Sequence, residues 1–515
     1  MKRAGQDWVG RSSGGPITQP INGFGGSRSD ARWVLAMLVG LAALLAARIA
    51  ALSINGTDLF FDEAQYWSWS LVPDLGYYSK PPMIAWLIRG STEVCGVSEF
   101  CIRLPSPILH TLTALAVFAL ARRLYDTVTG VLSALVFATL PGVSLSAGII
   151  STDVPLLLGW ALALFAFVAL RDTRSWWPAL LLGVALGFGL NAKYAMIWFA
   201  LCAAVYLVAT PADRRLVRDV RLWFAVAVAL ALIAPNLWWN LEHKFATFAH
   251  TADNAKWDGA LLNPLKALEF FGAQFGVFGP VLFAALGVIT WRAWREGIPA
   301  ADRLLLAFSL PVVIVITLQA LVSRAHANWA AVSYVAATVL VTATMLRNLD
   351  LRWLRGSMAL HVALMMVLIG ATAYAGRFAL PSGVDPFART LGWRAMADAT
   401  RATLDAARRQ GKPFNSVLTD DRAVTAELLY YMREEATPVY AWRGGPGRPK
   451  DHYELSRSFT RNAGEPVLLV GVGDPKENIL ARFASVRLIE SRKVRAGAGK
   501  PRVVTFHALE GYREK

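Results

Sequence analysis

Eleven apolar runs recur between residues 33 and 377, each near the roughly 20 predominantly apolar residues needed to cross a bilayer. The first extends from Trp33 to Ser53. The others centre on residues 107–121, 127–147, 154–170, 177–191, 194–209, 221–238, 268–290, 303–322, 328–346 and 357–377. Of the 515 residues, 55% are hydrophobic and 17% are charged, against roughly 25% charged in soluble domains. The chain therefore reads as an all-α polytopic membrane protein. Its first run follows an arm holding Lys2, Arg3, Arg11, Arg28 and Arg32, and lies too far from the start for a cleaved signal peptide, so it is expected to stay as the first span.

Lys and Arg are enriched in short cytoplasmic loops, which orients the spans. Alternate connections hold Arg122 and Arg123; Arg171 and Arg174; Arg214, Arg215, Arg218 and Arg221; Arg292, Arg295 and Arg303; and Arg347, Arg352 and Arg355. That is fourteen, against eight on the other side. The N-terminus is therefore expected inside and the C-terminal tail outside. Much of the +16 net charge then sits at membrane edges, and no nucleic-acid partner is needed to explain it. The tail carries 23 basic and 16 acidic residues, which suits an anionic membrane or glycolipid surface and equally suits ordinary solvated charge.

Three regions follow: a Gly- and Ser-rich arm expected to be disordered (1–32), a helical membrane body (33–377) and an exported tail (378–515). In the tail, Pro466–Gly471 and Val503–Phe506 read as strands. Residues Ala423 to Met432 have helical spacing behind an Asp420-Asp421 start signal. A small C-terminal α/β domain fits. Within the body, the outer loops 54–106 and 239–267 are long, and long loops are often functional. The apolar patch Ile84 to Ile88, around Trp86, is too short to span and is expected to lie along the interface.

Candidate chemistry gathers on the outer side. Asp62-Glu63 emerges between Phe60-Phe61 and Tyr66-Trp67, either as a helix cap with an acidic first turn or as a catalytic pair. Lys80 precedes Pro81-Pro82, whose rings fix the backbone beside Tyr77 and Tyr78; it suits a phosphate or a snorkelling position. Asp153 opens the fourth span, and Lys193 occupies a short outer turn where an anionic lipid phosphate is a natural partner. His243, Lys244, Asp253 and Lys256 come from the second long loop, and Arg324, His326 and Asn328 from a later one. Cys95 and Cys101 share the first outer loop, where an oxidising compartment permits a disulfide, whereas Cys202 reads as an apolar filler. The absence of a phosphate-binding P-loop and of a dinucleotide fingerprint argues against a nucleotide-driven pump. No tight zinc-spaced His/Cys cluster is present.

An ordered set of motifs then resembles the GT-C superfamily, in particular the lipid A aminoarabinose transferases and, more broadly, the protein mannosyltransferases. They are Phe61-Asp-Glu-Ala-Gln-Tyr-Trp67, Gly76-Tyr-Tyr-Ser-Lys-Pro-Pro82, Glu99-Phe-Cys-Ile-Arg-Leu-Pro105, Thr152-Asp-Val-Pro155, Asn191-Ala-Lys-Tyr194, Pro235-Asn-Leu-Trp-Trp-Asn240 and Asn328-Trp329. The resemblance implies an inverting glycosyltransferase that moves a sugar from a polyprenyl-phosphate carrier to a lipid A, lipopolysaccharide or related glycolipid acceptor at the outer face of the inner membrane. It assigns Asp62 as general base with Glu63 in support, and matches Lys193 and Lys256 to residues at the donor phosphate; Lys80, a cation held at the Pro81-Pro82 corner, joins them as a phosphate-binding candidate. Tyr66, Tyr78, Asp153, His243, Arg324 and Asn328 are substrate-binding candidates. The family carries a metal-ligating glutamate where this chain has Ser79, which leaves a divalent metal open. The segment Asp451–Leu455, beyond the strong resemblance, reads as a surface turn or as part of the acceptor side. A protein hydroxyl acceptor is the runner-up within the enzyme class. A lipid-linked-sugar transporter is the alternative outside it, although transporters more often place charge at mid-membrane in broken helices.

Overall fold

The computed structural model describes residues 28–255, 262–348, 350–380, 384–445 and 447–513. The arm up to residue 27 and Lys256 lie outside the described residues. Each of the eleven apolar runs is largely helical. The first lies in α1 (Arg28–Ser53). A short helix, α2 (Phe61–Ser70), and an amphipathic one, α3 (Met83–Cys95), follow in the first long loop. Helices α4 (Glu99–Arg103) and α5 (Pro105–Leu124) form one continuous rod. Next come α6 (Thr127–Thr139), α7 (Pro141–Ser146), α8 (Asp153–Thr173), α9 (Trp176–Ala192), α10 (Trp198–Ala209) and α11 (Val220–Glu242). The second long loop holds α12 (Ala246–Ala255), and the body ends with α13 (Pro264–Phe278), α14 (Pro280–Glu296), α15 (Ala300–Ala307), α16 (Leu310–Val322), α17 (Ser333–Arg347) and α18 (Leu351–Ala373).

Among the described residues, six helices are long and apolar enough to cross a membrane. A seventh run is the pair α13–α14, bent by 114° where Gly279 adopts a positive φ of 93° and Pro280 starts the next helix. The other four runs form apolar helices of 10–17 residues. Proline explains one of these short pieces: Pro141 cannot donate to the helix behind it, so α6 stops after 13 residues, Leu140 leaves the helical conformation at ψ 140°, and α7 starts afresh at Pro141. The coarse outcome is a multi-pass, mostly helical membrane protein with a small C-terminal sheet domain.

Packing inside the body brings distant loops together. Helix α8 is the most enclosed of the six, whereas α1, α11 and α18 leave most of their apolar surface outward, as lipid-facing helices must. Small residues let α8 and α9 touch backbone to backbone: a Cβ added at Gly159 would stand 3.0 Å from the Gly189 Cα. That contact aligns the start of α8 with the end of α9, which carry Asp153 and Lys193.

The tail folds as a mixed five-stranded sheet, β1 (Ser416–Thr419), β2 (Val439–Ala441), β3 (Val467–Val472), β4 (Phe483–Val494) and β5 (Arg502–Tyr512), in the order β2-β1-β3-β5-β4. The pairs β1–β2 and β1–β3 are parallel; β3–β5 and β4–β5 are antiparallel. Helices α19 (Trp393–Arg409) and α20 (Arg422–Tyr431) accompany the sheet, and α20 begins at the expected signal because Asp421 caps the Ala423 and Val424 N–H groups. One hydrophobic cluster joins Trp67, Trp69 and Ile84 of the first outer loop to Met396, Leu428 and Tyr430 of the tail. The buried side of α3 belongs to that cluster, while Trp86 on its other side is exposed. Trp67 meets Tyr430 edge-on at 5.0 Å, and the Tyr431 hydroxyl accepts from the Leu59 N–H at 2.9 Å. The tail is thereby packed directly over the loop that carries Asp62.

Candidate active site

Two adjacent carboxylates at the start of α2 have separate fates. Glu63 is buried. Its carboxylate accepts from the Phe60 N–H at 2.9 Å, so Glu63 satisfies a free backbone donor at the helix start. It also accepts from Arg103 Nη2 at 2.8 Å and from the Ile150 N–H at 2.9 Å. Glu63 thus supplies the helix cap that was the alternative reading of Asp62, and Glu63, from which catalytic support was expected, does not line the cavity. Asp62, one residue earlier on the helix, is left pointing into a cavity of about 630 Å³.

The cavity collects residues from across the sequence. Asp62, Tyr66, Tyr78 and Lys80 come from the first outer loop; Asp153, Lys193, Arg324 and Asn328 come from three later connections. Asp153 organises the far group: its Oδ1 accepts from Lys193 Nζ at 2.7 Å and its Oδ2 from Asn328 Nδ2 at 2.6 Å. Lys80 is turned inward at the Pro81-Pro82 corner, where the Tyr77 N–H bonds its carbonyl at 3.1 Å. Burial, then the charge of Lys193, pushes its ammonium pKa down, as expected for a cation with no acidic partner among the described residues. Tyr66 is held neutral by burial first and by Asp62 next, so its hydroxyl acts as a hydrogen-bonding group.

A second, apolar cavity of about 320 Å³ adjoins this one. It shares Ser79, Lys80, Lys193, His250 and Trp329 with the polar cavity and extends along Ile197, Trp198 and Ile316. Lys80 and Lys193 thus stand at the junction of a polar chamber and an apolar channel, the arrangement an amphiphilic phosphate requires.

Sequence reasoning missed most of what the tail contributes. Arg389, Arg422, Lys450, Asp451 and His452 all line the polar cavity. Arg422 Nη1 donates to Asp62 Oδ1 at 2.9 Å and to Gln65 Oε1 at 3.0 Å. The Asp451-His452 segment is a cavity wall: Asp451 caps its own short helix and His452 packs on Trp69 and Tyr77. Burial pushes His452 down to about 3; burial, then Lys80 and Arg422, push His250 down to about 4, so both imidazoles are neutral near pH 7. His243 is not among the gathered residues; its ring stacks on Trp239 at 3.9 Å, away from the cavity. Asp253 pairs instead with Arg448. Cys95 and Cys101 form a disulfide, with Cα atoms 6.0 Å apart, that ties the end of α3 to α4.

The family's metal does not fit these residues. The ligand position is Ser79, Asp62 and Asp153 are each engaged by a cation, and among the described residues no three His, Cys, Asp or Glu side chains converge as metal ligands.

Comparison with known proteins decides the family. The chain is 40% identical over 411 residues to the lipid A galacturonosyltransferase RgtD of Rhizobium johnstonii, covering 79% of this chain and 84% of that protein. The chain belongs to the GT-C glycosyltransferases. As a member of that group it is an enzyme of glycosyl transfer. It is also 32% identical over 262 residues to the lipopolysaccharide core galacturonosyltransferase RgtA of the same organism, covering 49% of this chain and 51% of RgtA. Residues 79–239 match the Dolichyl-phosphate-mannose-protein mannosyltransferase family. The GT-C fold itself is seen in ArnT from Cupriavidus metallidurans bound to undecaprenyl phosphate, which aligns with a TM-score of 0.64 at 15% identity over 92% of this chain and 98% of ArnT.

Proposed function

We propose that this glycosyltransferase moves a galacturonosyl residue from a polyprenyl-phosphate carrier to lipid A or a related lipopolysaccharide acceptor at the outer face of a bacterial inner membrane. The observation that carries the reading is the pair of adjoining cavities with Lys80 and Lys193 at their junction and Asp62 in the polar one. The polyprenyl tail lies along Ile197, Trp198 and Ile316, the phosphate meets Lys80 and Lys193, and the sugar occupies the polar chamber. The named activity of RgtD and the lipid carrier bound to ArnT point the same way. Eleven membrane crossings, a cytoplasmic N-terminus and a periplasmic tail complete the topology, supported by the arginine distribution.

In the reaction the acceptor hydroxyl oxygen bonds to the anomeric carbon as the bond from that carbon to the phosphate oxygen breaks. The hydroxyl proton passes to an Asp62 carboxylate oxygen, and the bonding pair leaves with the polyprenyl phosphate. Attack opposite the leaving phosphate inverts the anomeric centre. One carboxylate suffices because the leaving group is a stabilised phosphate that needs no protonation. Lys193 neutralises the charge that grows on it, and Asp153 with Asn328 fixes the lysine in place. No step requires a metal.

The test is mass spectrometry of the lipid and protein fractions of cells with and without the gene. A hexuronic-acid increment on lipid A that disappears with the gene is expected. The same increment on protein alone would move the acceptor to a protein hydroxyl, and no altered glycan in either fraction would refute glycosyl transfer by this chain.

A further inference from the structure

The polar cavity holds more positive charge than a polyprenyl-phosphate sugar needs. Six Lys or Arg side chains line it against three Asp. Two of the acids are paired, Asp153 with Lys193 and Asp62 with Arg422; Asp451 caps its own helix, and with its charge counted the cations still outnumber the acids. A donor phosphodiester supplies one negative charge, and Lys80 with Lys193 stands where the apolar channel begins.

The surplus is concentrated on residues from the tail. The Arg389 guanidinium lies over the Phe60 and Phe61 rings, at 5.1 and 5.6 Å, and that of Arg422 lies over Phe61 at 4.8 Å. Two planar cations are therefore gathered at the ring next to the base. Among the described residues neither Arg389 nor the Lys450 ammonium forms an ion pair with a carboxylate: Arg389 rests on the two phenyl rings, and Lys450 bonds Glu454 through its backbone N–H. The local field is positive enough that Arg324, Lys193, Arg389 and Lys80, after burial, all hold His326 below its ordinary pKa. Two guanidinium groups held side by side on aromatic rings match a carboxylate on a sugar ring, because each guanidinium can bind a carboxylate in a fork and its position is fixed by the ring beneath it.

We propose that Arg389 and Arg422 form a carboxylate-reading subsite that makes the enzyme selective for a hexuronic-acid donor over the corresponding neutral hexose. The assignment rests on the transfer reaction proposed above and adds the residues that recognise the acidic sugar. It also gives the ion pair between Arg422 and Asp62 a role: the incoming carboxylate takes over the guanidinium and leaves Asp62 free to accept the acceptor proton. Both arginines come from the tail, so that domain selects the sugar while the membrane body holds the phosphate.

The test uses the full-length protein in lipid nanodiscs with two synthetic polyprenyl-phosphate donors, galacturonosyl and galactosyl, and with lipid A acceptors that carry or lack phosphate. The unmodified enzyme is expected to prefer the acidic donor. Arg389→Gln, at an exposed position, should lower kcat/KM for the acidic donor about 10- to 100-fold more than for the neutral one, chiefly through KM. Arg422→Lys, which keeps the charge but loses the fork, should reduce the same preference. Equal loss on both donors, or no loss on either, overturns the subsite. A loss that follows the acceptor phosphate assigns the arginines to the acceptor and overturns it as well. Equal use of the two donors by the unmodified enzyme refutes the subsite while leaving glycosyl transfer intact; transfer from neither donor refutes the transfer reading itself.

Discussion

Glu63→Gln separates a structural carboxylate from a catalytic one. Both oxygens of Glu63 face donors only: Oε1 accepts from Arg103 Nε at 3.0 Å and from the Ile150 N–H at 2.9 Å, Oε2 from Arg103 Nη2 at 2.8 Å and from the Phe60 N–H at 2.9 Å. Whichever way a glutamine amide is turned, its NH2 meets two donors and Arg103 loses its counter-charge. Both side chains of the pair are 2% exposed, so water cannot compensate. Breaking a buried pair from one side costs about 3–5 kcal/mol. The pair of Asp62 with Arg422 is different: its side chains are 36% and 34% exposed, and a partly solvated pair contributes about 0–1 kcal/mol. Glu63→Gln is therefore expected to fall several kcal/mol below Asp62→Asn in denaturant unfolding followed in detergent, with its loss of activity matching its loss of folded protein. A Glu63→Gln protein as stable as the parent but inactive would refute the structural assignment and return Glu63 to the chemistry.

Other consequences concern charge in the cavity. Lys193→Ala should weaken donor use about 10- to 1000-fold with little change in acceptor KM, and Asp153→Asn, which releases the lysine from its 2.7 Å partner, should move the same parameters by less; steady-state kinetics with donor and acceptor varied separately would reveal equal effects on both, which would contradict the assignment. His250, held down to about 4, takes no proton between pH 5 and 8 in the folded protein, so His250→Gln should leave the shape of the pH–rate profile unchanged; an inflection between 6 and 7 that vanishes in the variant would show otherwise. The same shift makes the unfolded chain bind a proton below about 6.5 that the folded protein refuses until about 4. This residue therefore lowers stability progressively as pH drops through that window, and the difference in melting between the parent and His250→Gln should become independent of pH above it.

What was legible in the sequence follows from how locally each feature is encoded. The apolar runs are visible because membrane helices are written in consecutive residues, and the start of α20 is visible because Asp421 caps it locally. The break at Pro141 carries a local signal too, although a hydropathy run passes straight over it. The division of labour between Asp62 and Glu63 is not local. It depends on Arg103 and Ile150, brought in by helix packing 40 and 87 residues away. The tail cations were hardest to foresee, since Arg422 reaches Asp62 across 360 residues and an arginine at a helix start looks like any solvated charge. The motif residues Asp62, Lys80, Asp153, Lys193 and Asn328 could be found because they recur in a family order; Arg389, Lys450 and His452 lie beyond those motifs.

The central claim is that Asp62 takes the acceptor proton. It is tested most directly by measuring single-turnover transfer of labelled sugar from polyprenyl phosphate to lipid A by purified Asp62→Asn. Positioned general bases contribute about 10²–10⁴-fold. The variant is expected to elute and unfold like the parent while transfer falls by at least about 100-fold. Transfer within a few-fold of the parent, on a folded and donor-binding protein, would contradict the account.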